Sequence, residues 1–488
     1  MSRLPSDVLI SIFGDHMFHK DRLCVSHVCR AWRDLVLGNP LFWRTFSVIN
    51  PSSEWTREKL RRSGSAPLDI DATMNHFGLS HRPSWELILS QITRIRRLRI
   101  RWPPQLELHD LFSTAMTKDA PCLESLTVDV EGASLETSFP LDLFNGRTPQ
   151  LRHVSIERIR PAWSLSLLRN LHTLMISTVR CQEPISKVLD VLEQMPVLQR
   201  LELWHSLPDY TAQPISVDSN QRCVALRSLS QLIITDSANE VAYLMSHLDL
   251  PEGVISHFAL LRCFYFKKEF QDSFIAFAIK AYETLNVNPR PRGLELVIRP
   301  DTIKFKVTFG RPDIVYTFSN DRPFTFEFDY EPPYRNERLW LAMINIISLL
   351  DLRFLNIVCE VPVDFSWASL FESLKNLKSV EIAFHSTMKS FIAAYNAAGA
   401  LEEAGPHRYD PDAIPLSSLH SLSLKFIKFH DDSLLLDELI DLLTMRDKRG
   451  YRLPLLKFSK LWSWKDDELS LFEVWVAKLS PLVEELEH

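Results

Sequence analysis

One short pattern limits what this 488-residue chain can fold into more than any other feature. An apolar residue is followed by two others, an apolar, one other, and an apolar. It occurs as Ile95-x-x-Leu98-x-Ile100, Leu123-x-x-Leu126-x-Val128, Leu151-x-x-Val154-x-Ile156 and Leu171-x-x-Leu174-x-Ile176. It continues as Leu198-x-x-Leu201-x-Leu203 and Leu229-x-x-Leu232-x-Ile234, the starts lying 28, 28, 20, 27 and 31 residues apart. The second half of each unit alternates apolar and polar, as a half-buried strand does. Between the units lie helical stretches such as Ile185 to Met195 and Glu240 to Leu248, closed by Pro196 and Pro251.

A strand and a helix recurring at this period are the signature of leucine-rich repeats, in which each repeat buries its apolar face only by stacking on its neighbours. The pattern thins between Phe258 and Ile347, where Leu294 to Ile298 and Phe324 to Phe328 still read as strands. It returns at Leu377-x-x-Val380-x-Ile382 and Leu419-x-x-Leu422-x-Leu424. The period is loose and the usual Asn is missing, so the repeats are degenerate. Asn396 to Pro415 reads as an excursion loop, and Leu469 to Leu486 as a closing helix that caps an open end. The alternative is an irregular α/β domain.

Ahead of the repeats, Leu4 to Phe46 follows a different rule. Pro5 suits the first turn of a helix, and Val8, Leu9, Ile12 and Phe13 recur at helical spacing. A second periodic run holds Leu23, Val25, Val28, Cys29, Trp32, Leu35 and Val36, with Asp21 as its expected cap. Gly38-Asn39-Pro40 ends it, and Leu41-Phe42-Trp43 adds a third apolar segment. Three helices in so short a stretch cannot bury all this apolar surface among themselves. The surplus should cover a partner or the rest of the chain.

The strings LPSDVLISIF, LCVSHVCRAWRDL and NPLFW in this order resemble the F-box, in the divergent form common in fungal F-box proteins with leucine-rich repeats. WTREKLRRSGSAPLDIDA resembles that family's linker more weakly. The resemblance implies an α/β chain: a three-helix F-box at 1–46, a linker with a helix and first strand at 47–92, and a leucine-rich-repeat-like solenoid at 93–488. It implies a substrate receptor of a Skp–cullin–F-box (SCF) ubiquitin ligase, docking on the Skp adaptor and through it on cullin, and holding a protein target. Carried over to the adaptor contact are Leu4, Pro5, Val8, Leu9, Ile12, Leu23, Val28, Trp32, Leu41 and Trp43. Some of these must serve the F-box's own packing instead, and the sequence does not divide them.

The between-leucine positions map the face that such repeats present. Alternation sets Arg97, Arg99 and Arg101 opposite Leu98 and Ile100. Met175, Arg200, Trp204 and Ile233 follow on later strands, forming a mixed face that suits a protein target better than a small substrate. The alternative for the arginines is a first strand kept soluble by charge.

Composition narrows the remaining classes. A net charge of −6 gives no global reason to expect nucleic acid or an anionic membrane. No apolar run reaches the ~20 residues that span a bilayer, and Asp7 and Asp15 interrupt any leader-like pattern. Seven scattered cysteines without a CxxC pair fit reduced thiols in the cytosol or nucleus. Twelve glycines against 29 prolines argue against phosphate-cradling loops. No nucleotide-binding, metalloprotease or nucleophile-elbow motif occurs. His16, His19, Cys24, His27 and Cys29 are ligand types at no metal-site spacing. The expectation is a receptor with no cofactor, metal or catalytic residue; a non-ligase interaction scaffold is the alternative.

Overall fold

A computed structural model describes residues 4–15, 24–49, 52–73, 82–102, 118–130, 143–159, 163, 165–177, 183–208, 222–251, 254–261, 292–299, 302–308, 323–329, 352–360, 367–403, 416–426, 433–459 and 466–487. The chain is a mixed α/β protein with an extensive parallel sheet and several helices, divided into two compact units. The first holds residues 1–236 and 247–251; the second holds 237–246 and 252–488.

The first unit opens with helix α1 (Ser6–Asp15), helix α2 (Arg30–Gly38) and a 3-10 turn (Pro40–Trp43). The second apolar run is therefore not one helix from Leu23 to Val36. Bonds from His27 N to Cys24 O and from Val28 N to Val25 O tighten the chain into a turn, and Arg33 donates from Nε to the Ser26 carbonyl at 3.0 Å. Helix then restarts after Cys29, whose extended backbone stands at the cap without a side-chain bond. Asp21, Leu23, His16 and His19 lie outside the described residues. The expected third helix is the 3-10 turn, entered through Pro40 and fixed by the Asn39 side chain accepting from Leu41 N.

The chain then passes directly into strand β1 (Thr45–Ile49), which straddles the expected boundary between the F-box and the linker. Helix α3 (Ser53–Arg62) follows, capped by Ser52, whose hydroxyl accepts from Trp55 N. Next come β2 (Leu68–Thr73), α4 (Arg82–Leu89) and β3 (Ile95–Trp102). The remaining face-forming strands are β4 (Ser125–Val130), β5 (His153–Glu157), β6 (Thr173–Ser177), β7 (Arg200–Trp204) and β9 (Gln231–Ser237). From β1 to β9 each is parallel to the one before. Only β8 (Val224–Ala225) steps aside, to pair with β10 (Leu248–Asp249). Helix α5 (Ile185–Glu193) bridges β6 and β7 along the chain.

The repeated apolar positions all face the core; Leu419, at 4%, is the most exposed of them. The same backbone bond precedes strand after strand. The first apolar residue donates its N–H to the carbonyl three residues upstream, as in Ile95 to Ile92, Leu123 to Ala120, Leu151 to Thr148, Leu198 to Met195 and Leu229 to Leu226. The same backbone turn thus leads into strand after strand of the sheet. Several strands also leave the sheet through a left-handed residue, Arg158 and His205 among them. That backbone is unfavourable for residues other than glycine, and it turns the chain sharply away from the sheet. His205 N returns a bond to Thr235 O at 2.7 Å.

The second unit holds helix α6 (Ala238–Ser246) and then β11 (Ile255–Leu261), β12 (Gly293–Ile298), β13 (Thr302–Thr308) and β14 (Pro323–Asp329). These four explain why the repeat pattern thins. The spatial order is β11, β14, β13, β12, with β13 antiparallel to both neighbours. Strand and helix alternate again from β15 (Phe354–Cys359), parallel to β12, through α7 (Trp367–Ser373) and β16 (Ser379–Ala383). Helix α8 (His385–Glu403), β17 (Ser421–Lys425), α9 (Ser433–Lys448) and β18 (Leu453–Ser459) continue the alternation.

Two expectations fail here. Asn396 to Glu403 belongs to helix α8 rather than to a loop; its alanines are strong helix formers, and residues 404–415 lie outside the described set. The closing helix α10 spans Asp466–Leu479 and stops well before Leu486. Pro481 lies in a 3-10 turn after it, and Val483–Glu487 forms strand β19, parallel to β18. The β-branched Val483 and the Lys457–Glu487 ion pair favour that strand.

Candidate functional site

Helix α1 carries two apolar stripes. Leu9 and Phe13, one turn apart, point inward into a core shared with Val25, Val36, Phe42 and Trp43, with Trp32 and Leu35 packed against it. Phe13 meets the Trp32 ring edge-on at 4.9 Å and Phe42 at 6.5 Å. Trp43 is buried and satisfies its one polar atom by donating from Nε1 to the Val36 carbonyl at 2.9 Å. A buried indole without such a partner would be penalised.

The second stripe is left uncovered. Val8 and Ile12, also one turn apart, are 41% and 39% exposed, and Leu4 is half exposed. Val28 and Leu41 are exposed as well, and so is Pro5. The ten residues singled out in the sequence thus separate. Leu4, Pro5, Val8, Ile12, Val28 and Leu41 face outward, Leu9 and Trp43 are core, Trp32 is half-buried, and Leu23 lies outside the described residues. Leu37, 37% exposed, belongs with the outward set and was not anticipated; its place at the end of the second run, beside Val36, was the available signal.

Beyond this bundle, helix α3 anchors it. Trp55 packs edge-on against Trp43 at 6.0 Å, and the Arg62 guanidinium lies over the Trp43 ring. Glu58 receives hydrogen bonds from Arg61 and Arg62, which hold its carboxyl well below the usual range, down to about 2. Lys59 is buried with its ammonium over Phe46 and Trp55, and burial pushes its pKa down. Strand β1 starts two residues after Trp43 and pairs with β2, so the helices and the parallel sheet join without a loose connection.

A family model described as F-box-like matches residues 1–48. The chain carries an F-box-like domain. No curated protein matches the chain. F-box domains typically act as non-catalytic adaptors that bind the Skp subunit of ubiquitin ligases, and this one keeps a core of its own while leaving an apolar stripe uncovered.

The sheet face in the first unit is laid out by strand register. One row runs Arg97, Ser125, His153, Thr173, Arg200, Gln231; the next runs Arg99, Thr127, Ser155, Met175, Glu202, Ile233; the third runs Arg101, Asp129, Glu157, Ser177, Trp204, Thr235. Arg97, Arg99 and Arg101 do share a face, but they differ in company. Arg101 pairs with Asp129 at 3.4 Å, and Asp129 is also held by Arg158. Arg200 binds Glu202 on the neighbouring row. Met175, Trp204 and Ile233 are half-buried on adjacent strands.

Among the described residues, no group of three or more His, Cys, Asp or Glu side chains stands where it could hold a metal ion. Cys24, His27 and Cys29, the described members of the ligand-type cluster, are all exposed. No helix among the described residues is long and apolar enough to cross a membrane.

Proposed function

We propose that this protein is the substrate-recognition subunit of an SCF-type ubiquitin ligase. The uncovered stripe on α1 carries the reading: an isolated small domain has no use for Val8 and Ile12 in solvent, whereas a helical partner would bury them. The Skp adaptor would cover Leu4, Pro5, Val8, Ile12, Val28 and Leu41, while Leu9, Trp32 and Trp43 hold the domain in shape. The parallel strands that follow would form a solenoid of leucine-rich-repeat type at 93–488, after an F-box at 1–46 and a linker at 47–92. Its polar face, including Arg97, Arg99, Met175, Arg200, Trp204 and Ile233, would hold a protein target.

The chain's contribution is then positioning. A target held on the sheet stands at a set distance from the adaptor, because β1 and the Trp43–Arg62 stack leave little freedom between them. Orientation of this kind substitutes for chemistry by raising the effective concentration of acceptor lysines at the ligase.

Co-purification of the full chain with the Skp adaptor tests this, beside a Val8→Glu/Ile12→Glu variant. The substitutions touch exposed positions, so the variant should remain folded and lose the adaptor. If the intact, folded protein fails to bind the adaptor, the second reading, a repeat scaffold outside any ligase, takes its place.

A further inference from the structure

A hydroxyl residue directly before proline occurs twice in the chain, at Thr148-Pro149 and Ser480-Pro481. The first interrupts a structural pattern. Thr148 supplies the carbonyl that accepts from Leu151 N ahead of β5. Turns of the same form ahead of other strands place Ile92, Ala120, Met195, Leu226, Leu374 and Leu416 there, each apolar and no more than 2% exposed. Burial of those side chains stabilises their turns. Thr148 gives up part of that gain. It is half-buried, with Arg147 and Pro149 exposed on either side. Among the described residues nothing hydrogen-bonds to its hydroxyl.

The backbone just before Thr148 is strained. Phe144, Asn145 and Gly146 follow one another at φ 59°, 53° and 66°, which is unfavourable at the two residues other than glycine. Neighbouring chain holds them there. Ala120 N donates to Arg147 O at 3.1 Å, and the Asp119 carboxylate accepts from Asn145 and Arg147 at 3.2 and 3.3 Å. Pro149 then takes the second place of the turn, which its fixed φ suits, and biases Thr148 toward an extended backbone. Strain of this kind persists only where the surroundings enforce it, and it gathers at functional segments.

Ser480 is presented differently. It opens the 3-10 turn directly after α10, and Arg452 donates to the carbonyls of Pro481 and Val483 at 2.6 and 2.9 Å. An enzyme that needs an extended acceptor would have to unwind it.

We propose that Thr148 is a phosphorylation site for a proline-directed Ser/Thr kinase, one that requires proline directly after an extended acceptor. The γ-phosphoryl group of ATP passes to Thr148 Oγ1. The new O–P bond forms as the bond to ADP breaks, and the hydroxyl proton goes to the kinase's general base. The product carries about −1.5 to −2 charge. It stands between Arg147 and Arg152 in the chain, and the Arg152 guanidinium already reaches the Pro149 carbonyl at 3.3 Å.

Incubation of the full, folded chain with ATP and a purified mitogen-activated protein kinase tests this, with the modified residues mapped by mass spectrometry. Synthetic peptides spanning 143–154 and 476–487 serve as controls in which only the local sequence acts. Both peptides should accept phosphate, whereas in the folded chain Thr148 should be modified about tenfold faster than Ser480, or more. Pro149→Ala should slow the reaction at Thr148 about tenfold with circular dichroism unchanged, and Thr148→Val should abolish it. The proposal is overturned if Thr148 of the folded chain takes no phosphate, if Ser480 is modified as fast, or if Pro149→Ala reacts at the parent rate.

Discussion

The Arg62 guanidinium lies 4.7 Å from the centre of the Trp43 indole, joining the last turn of the F-box to the first helix after it. Trp43 therefore serves two elements at once. Its indole N–H closes on Val36 within the bundle, and its ring receives Arg62 and Trp55 from outside.

Removing that ring should cost far more than removing the cation above it. Trp43→Ala is expected to lower stability by about 3–5 kcal/mol, as truncation of a buried aromatic does. Arg62→Ala should cost about 0.5–2 kcal/mol, the range of a cation–π contact. Urea unfolding of the two variants checks the ordering; equal costs would mean that the ring is not the shared element.

The division of α1 into an inner and an outer stripe makes a paired prediction. Leu9→Ala should destabilise by about 2–5 kcal/mol, and its loss of adaptor should follow from unfolding. Val8→Glu should stay within about 0.5 kcal/mol of the parent and yet fail to bind the adaptor. Thermal melts run beside adaptor pull-downs separate the two effects.

Glu58 makes the junction acid-sensitive. Hydrogen bonds from Arg61 and Arg62 lower its pKa from the ordinary 4.5 to about 2. A folded-state pKa below the unfolded value means that the stabilisation is present above pH 4.5 and is lost as pH falls toward 2. Glu58→Gln should therefore melt below the parent at neutral pH, with the gap closing as pH drops through that window. A gap independent of pH would rule out the carboxylate as its source.

In the second unit, Arg446 is buried and donates to the Tyr395 hydroxyl at 2.8 Å and to the carbonyls of Leu416 and Leu419 at 3.1 and 3.2 Å. It ties α9 to α8 and to the turn ahead of β17. Arg446→Leu would strand those carbonyls at about 1–3 kcal/mol each. Tyr395→Phe, which removes one hydroxyl, should cost about 1 kcal/mol. Chemical denaturation of the two variants tests whether the carbonyls, and not the hydroxyl, are what Arg446 serves.

Most of the strand positions were legible because burial and alternation are written locally. Leu98, Ile100, Leu126, Val128, Leu201 and Leu203 each announce an inward side, and each is buried. Less legible were elements whose form depends on what lies beside them. Thr45–Ile49 straddles the expected end of the F-box at residue 46 and becomes a strand because β2 offers it a partner. Val483–Glu487 looks like the end of an amphipathic helix and becomes a strand beside β18. The exchange of order among β11, β14, β13 and β12 leaves no local trace, since an antiparallel strand and a parallel one can share the same alternation.

The candidate site divides in the same way. Apolar spacing alone pointed to helices in the first stretch of the chain, among them α1 and α2, with more apolar surface than they could bury, and strand alternation alone set Arg97, Arg99 and Arg101 on one face. Tertiary structure decided which members of each set remain available. On α1, Leu9 and Val8 are adjacent and similarly apolar, and only the packing of Phe13, Trp32 and Phe42 makes one core and the other surface. On β3, Arg97 and Arg101 are the same residue two turns of the pleat apart, and only Asp129 on the next strand neutralises one of them. Periodicity is a property of neighbours along the chain; burial and charge pairing belong to neighbours in space.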